Sequence, residues 1–341
     1  MVSKAMLSSL LQKQLSHTPA AQPFHAFVDD EWRPFQPGAV VTTSTTLSPP
    51  PSPLHSLHLV TWNIDFMAPY PQARMSAALS HLAGLVSSVP TTSAVVVFLQ
   101  EMAEWEGLAS SSAREGSGDV ALLQGAGWVQ ERFYMSDVDG GAWGGAGYGT
   151  VTLIDRRLSV ARVGRLPFVS EFRRDALFID VHLSSGSAGG GNVLRLCNVH
   201  LDSMSGAMRP VQWRGLAQLL RCQAGLEPPW GGVAASILAG DCNANRPRDR
   251  TEPQDNGFRD AYLELGGIEG DEAGATWGFQ SASGARWGRQ RLDKMVFCGD
   301  LEIAKLDKVG VDVRVEDAET VRLLEDEVTR EVSSDPDGTP Y

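Results

Sequence analysis

Short apolar runs that stop abruptly on a polar residue constrain this chain more than any other feature. Residues 94–99 read Ala-Val-Val-Val-Phe-Leu, and Gln100 and Glu101 follow at once. Such a run has the length of a buried strand, far below the roughly 20 residues that span a bilayer. Residues 57–64, 150–154, 176–183, 193–201, 235–239 and 292–297 repeat the pattern. Residues 71–89 read as a helix with Met75, Leu79, Leu82 and Val86 on one face, and 209–222 as a second helix. Many strands with few helices predict an α/β domain, two packed mixed or antiparallel sheets flanked by helices.

Glycine-rich loops at 115–119 and 139–149 separate these elements, and 184–191 reads as a hairpin loop. Residues 1–54 read as a leader, ending in a Pro-rich stretch, with 55–341 as the catalytic domain. Within the leader, Phe24–Phe27 and Trp32–Phe35 flank an acidic turn, the pattern of a small hairpin packed on the body. Lys4 and Lys13 without any acid before Asp29 give a faint transit-peptide character, but no arginine accompanies them. Four widely spaced cysteines predict neither disulfides nor a zinc site and fit a reducing, intracellular compartment. A net charge of -12 does not mark a nucleic-acid binder by itself. Arginines do cluster at 246, 248 and 250 and at 286, 289 and 291, where the plain reading is a solvated surface.

Chemistry-bearing side chains recur where the apolar runs stop. Asn63 and Asp65 are two apart at the end of the first strand, so strand alternation points both into one cavity. Glu101 emerges from a wholly apolar strand, and a buried carboxylate needs a partner, for which a hard cation such as magnesium is suited. The others are His200, Asp202 and Ser203, then Asp241 and Asn243 after Gly240, and last Arg291 and Asp293 sharing a face. Gly240 lets backbone approach the strand end closely. Taken singly, each has an ordinary reading: a turn-forming aspartate, a core histidine.

Together and in this order they resemble the endonuclease/exonuclease/phosphatase superfamily over residues 57–297. The segment Trp62-Asn63-Ile64-Asp65 and the pair Thr276-Trp277 are most similar to its type-2 tyrosyl-DNA phosphodiesterase branch. The resemblance implies a four-layered, deoxyribonuclease I-like sandwich and hydrolysis of phosphodiesters at blocked 5′ ends of DNA, in DNA repair, in the nucleus or cytoplasm. Asp65 and Glu101 would hold Mg2+ (or Mn2+) with Asn63 beside them, and Asp241 would direct the attacking water. Asn243, His200 and Ser203 would contact the phosphate, with Asp202 where glutamate is usual. Trp277, Arg246 and Tyr148 would meet the nucleic-acid end. The family closes on Ser-Asp-His, whose histidine pairs with the aspartate represented by Asp293. No histidine follows His200 here, so the chain reads as stopping short of its final strand. Other substrates (RNA, abasic DNA, a lipid head group) and a non-catalytic binding module are the alternatives.

Overall fold

The computed structural model describes residues 4–35, 54–104, 118–183, 193–221, 232–279 and 282–323. The Pro-rich stretch, Cys222 and the loop 184–191 lie outside them. One sheet has the order β3-β2-β6-β7-β5-β4. Its strands are β2 (Phe24–Val28), β3 (Glu31–Phe35), β4 (Ser56–Asn63), β5 (Ser93–Ala103), β6 (Phe133–Met135) and β7 (Tyr148–Asp155). The other has the order β1-β8-β9-β10-β11-β13-β12. It comprises β1 (Ala20–Gln22), β8 (Val160–Pro167), β9 (Asp175–His182), β10 (Val193–His200), β11 (Val233–Asp241), β12 (Arg259–Asp260) and β13 (Asp293–Gly299).

The uninterrupted run in β5 follows from its position. Val96 and Phe98 face the other sheet, with Ile179, Leu196, Ile237 and Phe297. Val95, Val97 and Leu99 face helix α2 (Pro71–Ser88), whose Met75, Leu82 and Val86 cover them. A strand covered on both faces has no use for polar alternation. On the far side, α5 (Arg209–Leu220) lays Trp213, Leu216 and Leu220 against Cys197, Val199 and Leu238. Helix, sheet, sheet, helix gives the four expected layers.

Residues 4–35, expected to stand apart as part of a leader, are built into the fold. Helix α1 (Lys4–Ser16) packs on α5, and β1 pairs with β8 from Ala20↔Arg165 to Gln22↔Val163. The anticipated hairpin is β2–β3, which joins the sheet through His25↔Met135. Its turn is Asp29–Asp30, with φ of 52° and 62°, the left-handed pair a two-residue hairpin requires. β8 escapes the apolar pattern because Arg162 and Arg165 are buried within it, paired with Asp180 and with Asp137 and Asp175. Asp119 is not in a loop: it opens α3 (Asp119–Gly125) and pairs with Arg74 at 2.7 Å.

A polar pin fastens the sheets. Asn198 of β10, fully buried, donates to Leu99 O at 3.2 Å and Val151 O at 3.0 Å, and accepts from Gln100 Nε2 at 2.8 Å. Asn198→Ala strands these groups in the core and is expected to cost about 3 kcal/mol in chemical denaturation. A loss below about 1 kcal/mol would make the pin dispensable.

Candidate active site

Sheet register alone sets the predicted groups side by side. Parallel pairing of β10 with β11 puts His200 opposite Asp241, and antiparallel pairing of β11 with β13 puts Asp241 opposite Asp293. Asp293 is therefore the first residue of its strand, not the last, because β13 runs against β11. In the other sheet Asn63 pairs with Gln100, one residue before Glu101. Asn63 joins the two sheets chemically: its Nδ2 donates to Glu101 Oε1 at 3.2 Å and to Asp241 Oδ2 at 3.0 Å.

The backbone is held in sparsely populated conformations here. Among the described residues eight non-glycine residues have positive φ, and Asp65 (59°), Glu101 (59°) and Asn243 (48°) are three of them. Such conformations persist where surrounding structure enforces them. Glu101 lies where the β5–β7 register shifts between Leu99 and Met102, and a bulge of this kind re-aims a side chain. Gly240 has φ 145°, and a Cβ there would sit 2.0 Å from Val199 O. Only glycine allows β10 and β11 to bring His200 and Asp241 this close.

Asp241 is locked from both sides, since its Oδ1 accepts the Asn243 N–H at 2.7 Å. The Asn243 side chain donates to Leu201 O at 2.9 Å and keeps its second N–H. Burial raises the Glu101 carboxyl, and the Asp241 and Asp65 charges add to this against the Asn63 hydrogen bond. Burial likewise raises Asp241. Asp293 is pushed up to about 7, by burial first and by the facing Asp241 charge second. His200 falls well below its usual value through burial and the neighbouring Arg174 guanidinium. Arg174 Nη1 lies 2.7 Å from His200 Nδ1, and arginine only donates. The neutral ring thus carries its proton on Nε2, 3.4 Å from Asp241 Oδ2 and 3.7 Å from Glu101 Oε1.

The arrangement fits a hard divalent cation. Glu101, His200 and Asp241 present ligand atoms all within 4.8 Å of one another. Because His200 Nε2 holds a proton, the coordinating power lies with the carboxylate oxygens, which suit magnesium or manganese. Asp293 Oδ1 is buried with no hydrogen-bond partner among the described residues. Three crowded carboxyls with raised proton affinity are what a bound cation relieves.

The other predicted residues divide. Asp65 lines the same cleft, of about 2260 Å³, as Asn63, Glu101, Asp241, Asn243, Trp277 and Asp293. It lies outside the close cluster, however, because the left-handed turn ends strand alternation and its carboxylate accepts the Met67 N–H. Tyr148 stacks on Phe66, ring centres 4.1 Å apart, with the Arg174 guanidinium 4.7 Å from its ring centre. Trp277 is held near Asp293 because Thr276 Oγ1 accepts the Leu292 and Asp293 N–H groups. Arg291 pairs with Asp260 and Glu269 rather than with Asp293. Asp202 is buried and structural, accepting Ser170 Oγ and the Glu171 N–H. Ser203 and Arg246 are not among the residues lining the cleft: Ser203 turns the chain toward Gly206, and Arg246 is exposed. Arg174 is the group that sequence reasoning missed. It stands in a loop beside Arg173, and no spacing distinguishes one from the other.

The pattern that defines the Endonuclease/Exonuclease/phosphatase family matches residues 60–313. No curated protein sequence matches the chain. Among solved structures, a humanized TDP2 from D. rerio is similar at 20% identity and a TM-score of 0.48, covering 71% of this chain and 82% of that one. TDP2 from Caenorhabditis elegans is similar at 21% and 0.49, covering 73% and 64%. The human Nocturnin catalytic domain is similar at 15% and 0.42, covering 70% and 80%. The family match spans every residue of the rim from Asn63 to Asp293, and the chain belongs to the Endonuclease/Exonuclease/phosphatase family.

Proposed function

We propose that the chain is a metal-dependent phosphodiesterase that hydrolyses phosphoester bonds at blocked 5′ ends of single-stranded DNA. The observation that carries this reading is Asn63 bridging Glu101 and Asp241 across the two sheets, with His200 beside both. Glu101, with Asp65 at the rim, would hold Mg2+. When bound, the ion neutralises phosphate charge and acts as a Lewis acid toward the leaving oxygen. Asp241, fixed by Asn63 and by the Asn243 backbone, holds the water in line and accepts its proton. The His200 Nε2 proton and the free Asn243 N–H donate to phosphate oxygens as their charge grows. Asp293 shares the proton balance of the pair with Asp241.

Nucleic acid is favoured over a lipid by the aromatic and basic groups that continue from Trp277. Trp287 is 62% exposed with Arg286 over its ring, and Phe279 has Arg289 and Lys308 over its own. Interleaved rings and cations suit single strands, where bases stack and the backbone is neutralised. The test is turnover with Mg2+ on a 5′-phosphotyrosyl oligonucleotide, polyadenylated RNA, abasic DNA and a phospholipid. The oligonucleotide is expected to turn over fastest, and Trp287→Ala to raise its KM about tenfold. Turnover confined to RNA or lipid would reject the DNA reading.

A further inference from the structure

We infer that α1 clamps the loop after β8 and that Gln14 is a positioning residue for His200, an inference that rests on the functional reading above. Gln14 is the last but two residue of α1 and is fully buried. Its Nε2 donates to Pro167 O at 3.2 Å, and its Oε1 accepts the Val169 N–H at 2.7 Å. A neighbouring strand would offer the same pair of bonds, so the side-chain amide stands in for one at the point where β8 ends. His17 Nδ1 adds a bond to the same Pro167 carbonyl at 2.8 Å.

From this clamp an unbroken series of hydrogen bonds leads to the rim. Val169 O accepts from Gln212 Nε2 at 3.3 Å, and Gln212 Oε1 accepts the Asp202 N–H at 3.1 Å. The Asp202 carboxylate accepts Ser170 Oγ and, at 2.8 Å, the Glu171 N–H. Ser170 Oγ in turn accepts the N–H groups of Phe172 at 2.9 Å and Arg174 at 3.0 Å. Arg174 then fixes His200 Nδ1. The orientation of the imidazole thus depends on a loop whose far end is held by the N-terminal helix.

Gly215 gives independent support. It lies inside the 12-residue helix α5, where glycine is the poorest residue after proline. A Cβ there would stand 2.7 Å from Gln14 Nε2 and 2.9 Å from Gln14 Cδ. The obstruction is the Gln14 side chain from Cγ outward, so alanine at 215 displaces the Gln14 amide while leaving α5 a better helix.

Gln14→Met keeps the volume of Gln14 and removes both bonds; Gly215→Ala displaces the amide from the opposite side. In the full chain, each is expected to speed amide exchange across residues 169–174 at least tenfold and to lower kcat about tenfold. KM for the oligonucleotide should stay within about twofold, because the DNA contacts are untouched. A Gln14→Ala/Gly215→Ala double variant, which leaves room for the added methyl, should be no worse than Gly215→Ala alone, since both cut the same series. Unchanged exchange in both single variants, or additive effects in the double, overturns the clamp. If the unmodified chain hydrolyses nothing, the functional reading fails, and exchange across 169–174 still judges the clamp by the same criterion.

Discussion

Asp241→Asn is expected to lower kcat on a 5′-phosphotyrosyl oligonucleotide by about 10² to 10⁴. The asparagine has the shape of aspartate, and its Oδ1 still accepts the Asn243 N–H that orders the strand end. What disappears is the proton acceptor, the Asn63 hydrogen bond to Oδ2 and one of two carboxylates that face each other across β11 and β13. Like charges directly opposed across strands are destabilising, so removing one offsets the loss of the Asn63 bond while disabling the site. Glu101→Gln should match the loss of activity and in addition weaken Mg2+ binding in titration calorimetry. Asp241→Asn activity within about threefold of the unmodified chain would show that the group orienting the water lies elsewhere.

In chelator, the protein should lose stability as pH rises from 5 to 8, and Asp293→Asn should remove most of that slope. Glu101, Asp241 and Asp293 all have raised proton affinity in the fold, Asp293 to about 7. Between the ordinary carboxylate range and that value the folded state binds more protons than the unfolded chain. Stability is therefore fully present below the unfolded carboxylate pKa and is lost as pH rises through the folded one. For Asp293 the effect is on the order of 3 kcal/mol. Adding Mg2+ at pH 8 should recover it, since a cation takes over the role of the protons. A flat pH profile in chelator, or recovery that Asp293→Asn leaves unaltered, would contradict the crowded-carboxylate account.

Much of the rim was legible because its determinants are local. Glu101 ends an apolar run and must be there for a reason other than packing, and the same holds for Asn63, His200, Asp241 and Asn243. Gly240 was readable as a close-approach position, and its φ of 145° agrees. Asp65 shares the cleft with Asn63, as alternation implies, but β4 stops at Asn63 and the turn after it sets Asp65 outside the close cluster. Ser203 and Arg246 follow their strands by a turn or more, where no period constrains direction. The N-terminal segment was not legible because the partners of α1 lie far along the chain: Leu7 and Leu10 pack on Val169, Met208 and Val211, and Gln14 bonds residues 153 and 155 positions away.

Strand length, strand order of chemistry and the identity of most rim residues follow from the residues themselves, since burial and period two act within a few positions. The neutral state and tautomer of His200, the elevated Asp293 and the role of Arg174 do not. They arise from charges and donors contributed by chain segments that come together only when both sheets pack, and electrostatic energy depends on distance in space, not along the chain.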